Sequence, residues 1–98
     1  MTFRHIVLFR VHDDVDIELL DRTVEELDQF AHHPGVVSWI IRRSLDERKG
    51  RVIVEDATFE NQVAFERFRT DPAHVMAGRR MSQISDWWVG DYLTEIGE

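Results

Sequence analysis

Two of the five histidines in this 98-residue sequence stand where an imidazole could do chemistry. The first is His74, which follows Asp71-Pro72. Aspartate as N-cap with proline as the first helical residue is typical of a helix start, so His74 falls in the first turn. There the positive end of the helix dipole disfavours imidazolium, which predicts a lowered pKa and a neutral ring at pH 7. A neutral imidazole can act as a general base. The alternative is that His74 only packs at the helix start or contacts Asp71.

The second is His5, which alternates with Phe3, Val7 and Phe9 in a segment typical of a β-strand. This pattern predicts that the imidazole is substantially buried. A buried imidazole needs a hydrogen-bond partner, and two interpretations remain open. His5 is either a core histidine satisfied by a backbone or carboxylate group, or a polar group lining a pocket between sheet and helices.

The remaining titratable groups are interpreted as structural. Glu55 and Asp56 are adjacent in a strand and must face opposite sides; we expect pairing, for example with an arginine, whereas an unpaired carboxyl would have a raised pKa. His12, His32 and His33 stand beside charged or turn residues and are interpreted as solvated. The partners that a metal site at His32 and His33 would need are not evident. The absence of cysteine excludes disulfides and thiolate metal sites.

The elements that must position these side chains are predicted from periodicity and turn signals. Strands are predicted over residues 3–11, 36–45, 51–59 and 85–93, with a turn at 46–50. One helix is predicted from the acidic turn at 13–16 to about residue 31, and a second helical region begins at Asn61 and restarts at Asp71. The order β-α-β-β-α-β is the ferredoxin-like split motif. It predicts a single α+β domain over residues 1–98, with both helical regions on one face of a four-stranded antiparallel sheet.

The strands are apolar on both sides, which such a sheet does not need if one face is wet. Residues 6–9 are apolar without alternation, and Trp87 and Trp88 point to opposite sides of the last strand. Another layer must therefore cover the face opposite the helices. A second copy of the chain is the simplest cover, and the pattern predicts a homodimer through that face.

Composition limits the classes of partner. The sequence is 43% apolar and 32% charged, as in a globular domain. Its net charge of -7 opposes binding to nucleic acid and favours a neutral substrate over an anionic one. No stretch approaches the roughly 20 apolar residues of a membrane span, and the first residues do not form a cleavable signal. We therefore expect a cytoplasmic protein without membrane association.

Several short motifs, in their order, resemble the stress-responsive A/B barrel (Dabb) family. They are residues 4–9, 34–36, 58–60, 71–75 and 90–92, and the resemblance covers nearly the whole chain. It is sharpest at Asp-Pro-Ala-His-Val, residues 71–75. The resemblance implies a dimeric α+β barrel, in which the sheets of two ferredoxin-like subunits face each other. It also implies that His5 faces the helices while Ile6 and Leu8 face the partner.

A cofactor-free plant polyketide cyclase of that family places a histidine in the same Pro-Ala-His-Val setting. By that similarity His74 is the candidate catalytic base and His5 a second catalytic histidine that positions the substrate or relays the proton. The substrate pocket that the resemblance implies is lined by Val7, Ile53, Phe65, Phe68 and Met76. Two positions depart from the cyclase, because a tyrosine is replaced by Phe68 and a histidine by Ile53. The resemblance thus implies a cofactor-independent lyase or cyclase acting on an apolar carbonyl compound, without implying the same substrate.

Two other functions stay open. The chain could be a non-catalytic stress-response or ligand-binding protein with structural histidines. It could also be a relative of the cofactor-free or haem-degrading monooxygenases that share the dimeric barrel, although the asparagine and tryptophan set of those enzymes does not map onto the sequence. An enzyme requires a cavity beside His74, and solid packing of Phe65, Phe68 and Met76 against His5 would exclude it.

Overall fold

Four strands and three helices make up the computed structural model, which describes residues 1–95. The strands are β1 (Thr2–Val11), β2 (Val36–Arg43), β3 (Val52–Phe59) and β4 (Ser85–Thr94), all antiparallel in the order β2-β3-β1-β4. The helices are α1 (Ile17–Asp28), α2 (Gln62–Thr70) and α3 (Pro72–Gln83), with a 3₁₀ turn (Gln29–His32) after α1. The predicted ferredoxin-like subunit is confirmed, and Asp71 divides its second helical region.

Side-chain caps fix where the helices begin. Asp16 accepts a hydrogen bond from the backbone N–H of Leu19, and Asn61 accepts one from Ala64, each at 2.8 Å. Asp71 caps α3 in the same way, with 2.8 Å to the N–H of Ala73. These bonds satisfy backbone donors that a helix start leaves unpaired. The caps of α2 and α3 were predicted at these residues.

The first helical region ends earlier as an α-helix than predicted. Regular α-helix stops at Asp28, and the 3₁₀ turn carries the chain to His32. Gly35 then adopts a positive φ of 88°, and a Cβ there would lie only 2.6 Å from the Cβ of Ala64. The glycine therefore lets β2 begin directly against α2. Strand β2 also ends at Arg43, two residues before the predicted end, and Leu45 is fully exposed in the following turn.

The three helices cover one face of the sheet. Alternate residues of β1 point into the helical layer, and Phe3, Val7, Phe9 and Val11 are buried. An aromatic cluster fills one end of the layer and contains Phe3, Ala57, Phe59, Ala64, Phe65 and Phe68. A largely aliphatic cluster fills the other end and contains Val7, Phe9, Val11, Leu20, Leu27, Ile41, Ile53, Ala77 and Met81. His5 lies on β1 between the two clusters.

The opposite face, which we call the open face, is not covered by any of the elements formed by residues 1–95. It presents Leu8, Ile40, Trp88 and Tyr92, which are between 43% and 62% exposed. Strand β4 is exposed on both faces along most of its length, because the helices do not extend over this edge of the sheet. The two-sided apolar pattern of the sequence is thus present in the structure.

Across residues 1–95, the helices are all too short or too polar to cross a membrane.

Candidate functional site

A pocket of about 400 Å³ opens between the sheet and α3. Strands β1, β3 and β4 form its floor and α3 forms one wall, and Leu27 of α1 and Arg69 of α2 also line it. The floor residues are His5, Val7, Phe9, Glu55, Trp87 and Val89, and the wall residues are His74, Val75, Gly78, Arg79 and Ser82. Most of this surface is apolar. The pocket reaches the exterior at β4, where the helical layer ends.

The α3 wall follows from helical spacing. His74, Gly78 and Ser82 are four residues apart, with Val75 and Arg79 beside them, so one side of the helix faces the pocket. Gly78 has no side chain, and a Cβ built there would meet nothing within 4 Å. This glycine therefore leaves open space in the middle of the wall.

His5 joins two carboxylates across three strands. Its Nε2 lies 3.3 Å from Glu55 on β3, and its Nδ1 lies 2.6 Å from Asp91 on β4. Register explains the contacts, since His5 is directly opposite Asp91, while Glu55 is opposite Val7 and reaches His5 diagonally. Glu55 is only 2% exposed. An imidazolium can donate from both nitrogens at once, which a neutral ring cannot.

The surroundings of His5 act on its pKa in opposite directions. Burial disfavours the charged ring, but the hydrogen bonds and negative charges of Glu55 and Asp91 outweigh burial and raise the pKa of His5. The sequence left two interpretations of this residue open, and its position combines them. His5 is satisfied by carboxylates, and it also lies in the floor of a pocket.

His74 has the opposite electrostatic state. Burial lowers the pKa of His74, the positive charge of His5 lowers it further, and the Arg69 carbonyl and Glu55 only partly oppose this. The ring packs against Phe68 and Phe30, with centroid distances of 4.0 and 5.6 Å. The predicted direction of the pKa shift agrees with the structure, and burial is its main cause. His74 is therefore mostly neutral at pH 7.

The tautomer of His74 follows from its hydrogen bond. Its Nδ1 lies 3.4 Å from the backbone carbonyl oxygen of Arg69. A carbonyl can only accept, so Nδ1 carries the proton and donates it. The lone pair is then on Nε2, the nitrogen that a general base uses.

The other predicted pocket residues lie in different places. Val7 lines the pocket, as the resemblance implied. Phe65 and Phe68 are buried behind the histidines, with ring centroids 4.8 and 6.5 Å from that of His5. Ile53 is buried in the aliphatic cluster, and Met76 is 46% exposed. Within the described chain, those four side chains are outside the pocket lining. Phe65, Phe68 and Met76 do not fill the space beside His5, because Met76 is exposed and the cavity stays open. The packing that would exclude an enzyme is therefore absent from the described chain.

His33 is a correction to the sequence interpretation. It was expected to be solvated, but its side chain is only 14% exposed and contacts Asp71 at 3.1 Å. Its ring also packs edge-on against Phe68 at 5.5 Å. His33 therefore holds the cap of α3 in place from the 3₁₀ side. His12 contacts Asp86 at 3.3 Å and is half exposed, while His32 is exposed.

Glu55 and Asp56 are both paired, as expected for structural carboxylates. Asp56 accepts hydrogen bonds from the Arg4 guanidinium at 2.8 and 2.9 Å on the open face. Glu55 pairs with a histidine and lines the pocket, a contact that sequence reasoning did not specify. Among residues 1–95, no three histidine, aspartate or glutamate side chains are grouped to hold a metal ion.

Sequence reasoning missed other lining residues, namely Gly78, Arg79, Ser82, Trp87 and Val89. The three- and four-residue spacing from His74 could have identified those on α3. The two on β4 depend on strand register, for which the sequence has no local signal.

Comparison with known proteins gives a family and a fold. The model of the stress-responsive A/B barrel domain matches residues 3–93. A dimeric ferredoxin-like protein of unknown function from Thermobifida fusca has a TM-score of 0.84 and 20% identity, over 96% of this chain and 92% of that one. A hydroxynitrile lyase from Passiflora edulis has a TM-score of 0.79 and 20% identity, over 99% and 97%. SnoaB, a cofactor-independent oxygenase from Streptomyces nogalater, has a TM-score of 0.76 and 21% identity, over 98% and 95%. A search of curated proteins found no match.

Proposed function

Because the chain belongs to the stress-responsive A/B barrel domain family, we propose that it is a homodimeric, cofactor-independent enzyme of lyase or cyclase type. Its substrate is an apolar carbonyl compound, and His74 is the general base. One observation carries this proposal. A neutral imidazole, held by a backbone carbonyl through Nδ1, lines an apolar pocket that also contains a buried carboxylate.

The proposed step is proton transfer to Nε2 of His74. If the proton comes from a carbon beside the carbonyl, an enolate forms that can attack a second carbonyl and close a carbon–carbon bond, and the alkoxide that results takes the proton back from His74. If it comes from a hydroxyl, the carbon–carbon bond next to it breaks, a carbonyl forms, and the leaving carbanion takes the proton back from His74. Both directions need a base that is neutral at the working pH.

The proposed role of His5 is to position the carboxylate of Glu55 beside His74. Both of its nitrogens contact carboxylates, so the ring has no free lone pair with which to take a proton from a substrate. Glu55 lines the same pocket as His74 and acts on its pKa. A proton on His74 can therefore be balanced by Glu55, whose charge and orientation His5 maintains.

Relatives of the same fold support an enzyme without fixing the reaction. One is a hydroxynitrile lyase and another a cofactor-independent oxygenase. The oxygenase alternative has less support from the pocket itself. Trp87 lines it, but the single asparagine of the sequence is Asn61, whose side chain caps α2.

The proposed dimer uses the open face. Solved structures with this fold are described as dimeric, and the open face carries exposed Leu8, Ile40, Trp88 and Tyr92. Ile6 lies on the same face at the centre of β1. Facing two copies through this surface would cover the apolar side chains of both.

Proton abstraction by His74 can be tested directly. We expect the protein to accelerate hydrogen–deuterium exchange of the acetyl protons of 4-acetylbenzamide in D₂O, followed by proton NMR. Mandelonitrile cleavage to benzaldehyde, followed by absorbance, tests the hydroxyl route. His74→Gln should lower the active route by about 100-fold or more, and His32→Gln, which changes an exposed histidine, should leave it unchanged. Because the pKa of His74 is lowered, activity should persist below pH 6.5, the ordinary histidine value, and fall at lower pH.

The non-catalytic alternative gives a different result. If both reactions run at the buffer rate, in the unchanged protein and in His74→Gln alike, the enzyme proposal is wrong. Binding of the same compounds without turnover would then identify a ligand-binding protein.

A further inference from the structure

One cation in the pocket lining has no partner among the described residues. Arg79 lines the pocket from α3, and within residues 1–95 its guanidinium makes no hydrogen bond or ion pair. Its neighbours differ. Arg80 donates to Glu26 on α1 at 2.5 Å, and Arg69, also in the lining, donates to Glu66 at 3.1 Å. Arg79 is thus the one lining guanidinium, in the described chain, that is left to bind a ligand.

The segment that carries this arginine has a net positive charge although the protein is acidic. Residues 62–83, which form α2 and α3, contain four arginines against one glutamate and one aspartate. This segment therefore has a formal charge of +2, and the rest of the chain has -9 to give the total of -7. The sequence analysis expected a neutral substrate from the net charge alone. That expectation does not apply to the part of the pocket at Arg79. An anion would meet the exposed guanidinium of Arg79 before it met the buried carboxylate of Glu55.

Helical geometry relates Arg79 to the base. The two residues are five positions apart on α3, which is about 7.5 Å along the axis. Between them lie Val75 and the open space at Gly78, with Val7 and Val89 across the pocket. A compound with one ring or a short chain between its carbonyl and an acidic group spans this distance. The apolar middle would contact the valines.

We propose that the substrate is an apolar oxo acid, and that Arg79 binds its carboxylate while its carbonyl end lies at His74. This deepens the proposed function and rests on it for the identity of the reacting end. A guanidinium matches a carboxylate with two parallel N–H donors, and such charged hydrogen bonds are stronger than neutral ones. Arg79 would therefore determine specificity by selecting acids over neutral carbonyl compounds of the same shape.

The test compares two ligands that differ in charge and little in shape. Binding of 4-acetylbenzoate and of 4-acetylbenzamide is measured by isothermal titration calorimetry at pH 7 and low salt. We expect the acid to bind about tenfold tighter, as for a charged hydrogen bond near a surface. Arg79→Gln should bring the ratio to about one by weakening the acid alone. Arg22→Gln, at an exposed and likewise unpaired arginine of α1, is the matched control and should keep the ratio.

Gly78→Leu locates the binding. Its side chain would occupy the open space in the α3 wall, so both ligands should lose affinity while the far-ultraviolet circular dichroism stays unchanged. Retained affinity of the acid in Gly78→Leu would place it outside the pocket and overturn the proposal. Equal affinity of acid and amide in the unchanged protein, equal weakening of both by Arg79→Gln, or no binding of either would overturn it as well.

Failure of this inference is separable from failure of the proposed function. If both the exchange and the mandelonitrile reactions run at the buffer rate but the affinity ratio depends on Arg79, the pocket binds acids and the enzyme proposal is wrong. If His74 catalyses exchange of the neutral amide and the ratio is one, the enzyme proposal holds and the acid specificity is wrong.

Discussion

Each face of the sheet pairs a carboxylate of β3 with a basic side chain of β1, and the two pairs are one residue apart. On the covered face, Glu55 of β3 contacts His5 of β1, which also contacts Asp91 of β4. On the open face, Asp56 binds Arg4, whose guanidinium lies 5.8 Å from the ring centroid of Tyr92. Each carboxylate of β3 reaches its cation diagonally, and each β4 residue lies directly opposite it.

The two faces differ in whether the basic side chain of the pair can lose its charge near neutral pH. Arginine stays charged at every pH that a cell meets, so the open-face pair only fixes register and polarity in the middle of an apolar surface. Histidine changes charge near neutral pH. The covered-face pair is also buried beside the pocket, where its charge acts on the pKa of His74. The same strand geometry therefore gives a structural pair on one side and a titratable pair on the other.

The largest expected effect is on the covered face. His5→Asn removes the partner of a buried carboxylate, and we expect a loss of about 4 kcal/mol in the free energy of unfolding at pH 7. Urea denaturation measures this loss. The double variant His5→Asn/Glu55→Gln should recover at least half of it, because the unpaired buried charge is gone. A loss below about 1 kcal/mol in the single variant would show that Glu55 does not depend on His5.

A substitution of an apolar side chain on the open face should change dimerisation instead of the stability of the subunit. Leu8→Glu places a charge in the proposed dimer surface, and we expect the free energy of dimerisation to weaken by about 3 kcal/mol or more, since a dimer contains two copies of the site. Sedimentation equilibrium measures the dissociation constant. Leu45→Glu, in a fully exposed turn, is the control and should not change it. An unchanged constant for Leu8→Glu would move the interface elsewhere.

The arginine pair should contribute less. Asp56→Asn weakens a half-buried, bidentate pair, and we expect a loss of about 1 kcal/mol in the free energy of unfolding. The loss should be the same from about pH 6 to pH 9, because the guanidinium of Arg4 stays charged throughout this range. Urea midpoints across the series test this. A loss that varies with pH would mean that another titrating group faces this pair.

The last expected effect is a change with pH in the free energy of unfolding. Because the pKa of His5 is raised on folding, the stabilisation from its protonated form is complete below the unfolded value of 6.5 and is lost as pH rises through the folded pKa. His74 has the opposite sign, since its lowered pKa stabilises the fold above 6.5 and this is lost as pH falls. The difference in stability between the protein and His5→Asn should therefore shrink from about pH 6 to about pH 9. NMR titration of the two rings assigns the slope, and parallel curves would contradict it.

Much of the fold was predictable because its signals are local. The caps at Asn61 and Asp71 and the alternation around His5 each depend on a few neighbouring residues. They place both histidines in the correct elements, and the two-sided apolar pattern predicts the open face.

The rest of the site depends on long-range pairing. His5 and Asp91 are 86 residues apart, and only the β1–β4 register brings them together. The contact of His33 with Asp71 joins two regions in the same way, across 38 residues. The family resemblance implied that Ile53 and Met76 line the pocket. In this chain Ile53 belongs to the core and Met76 to the outer surface. Glu55 and Arg79 take part in the site instead.

Gly78 has a consequence for how such a protein could diversify. Glycine is among the least favourable residues inside a helix, yet here it occupies the wall of a pocket with free space in front of it. The size of the side chain at this one position therefore limits the width of the pocket between His74 and Arg79. Alanine, valine or leucine there would reduce the widest ligand stepwise and leave His74 and Arg79 in place. A single codon could thus tune substrate size independently of chemistry.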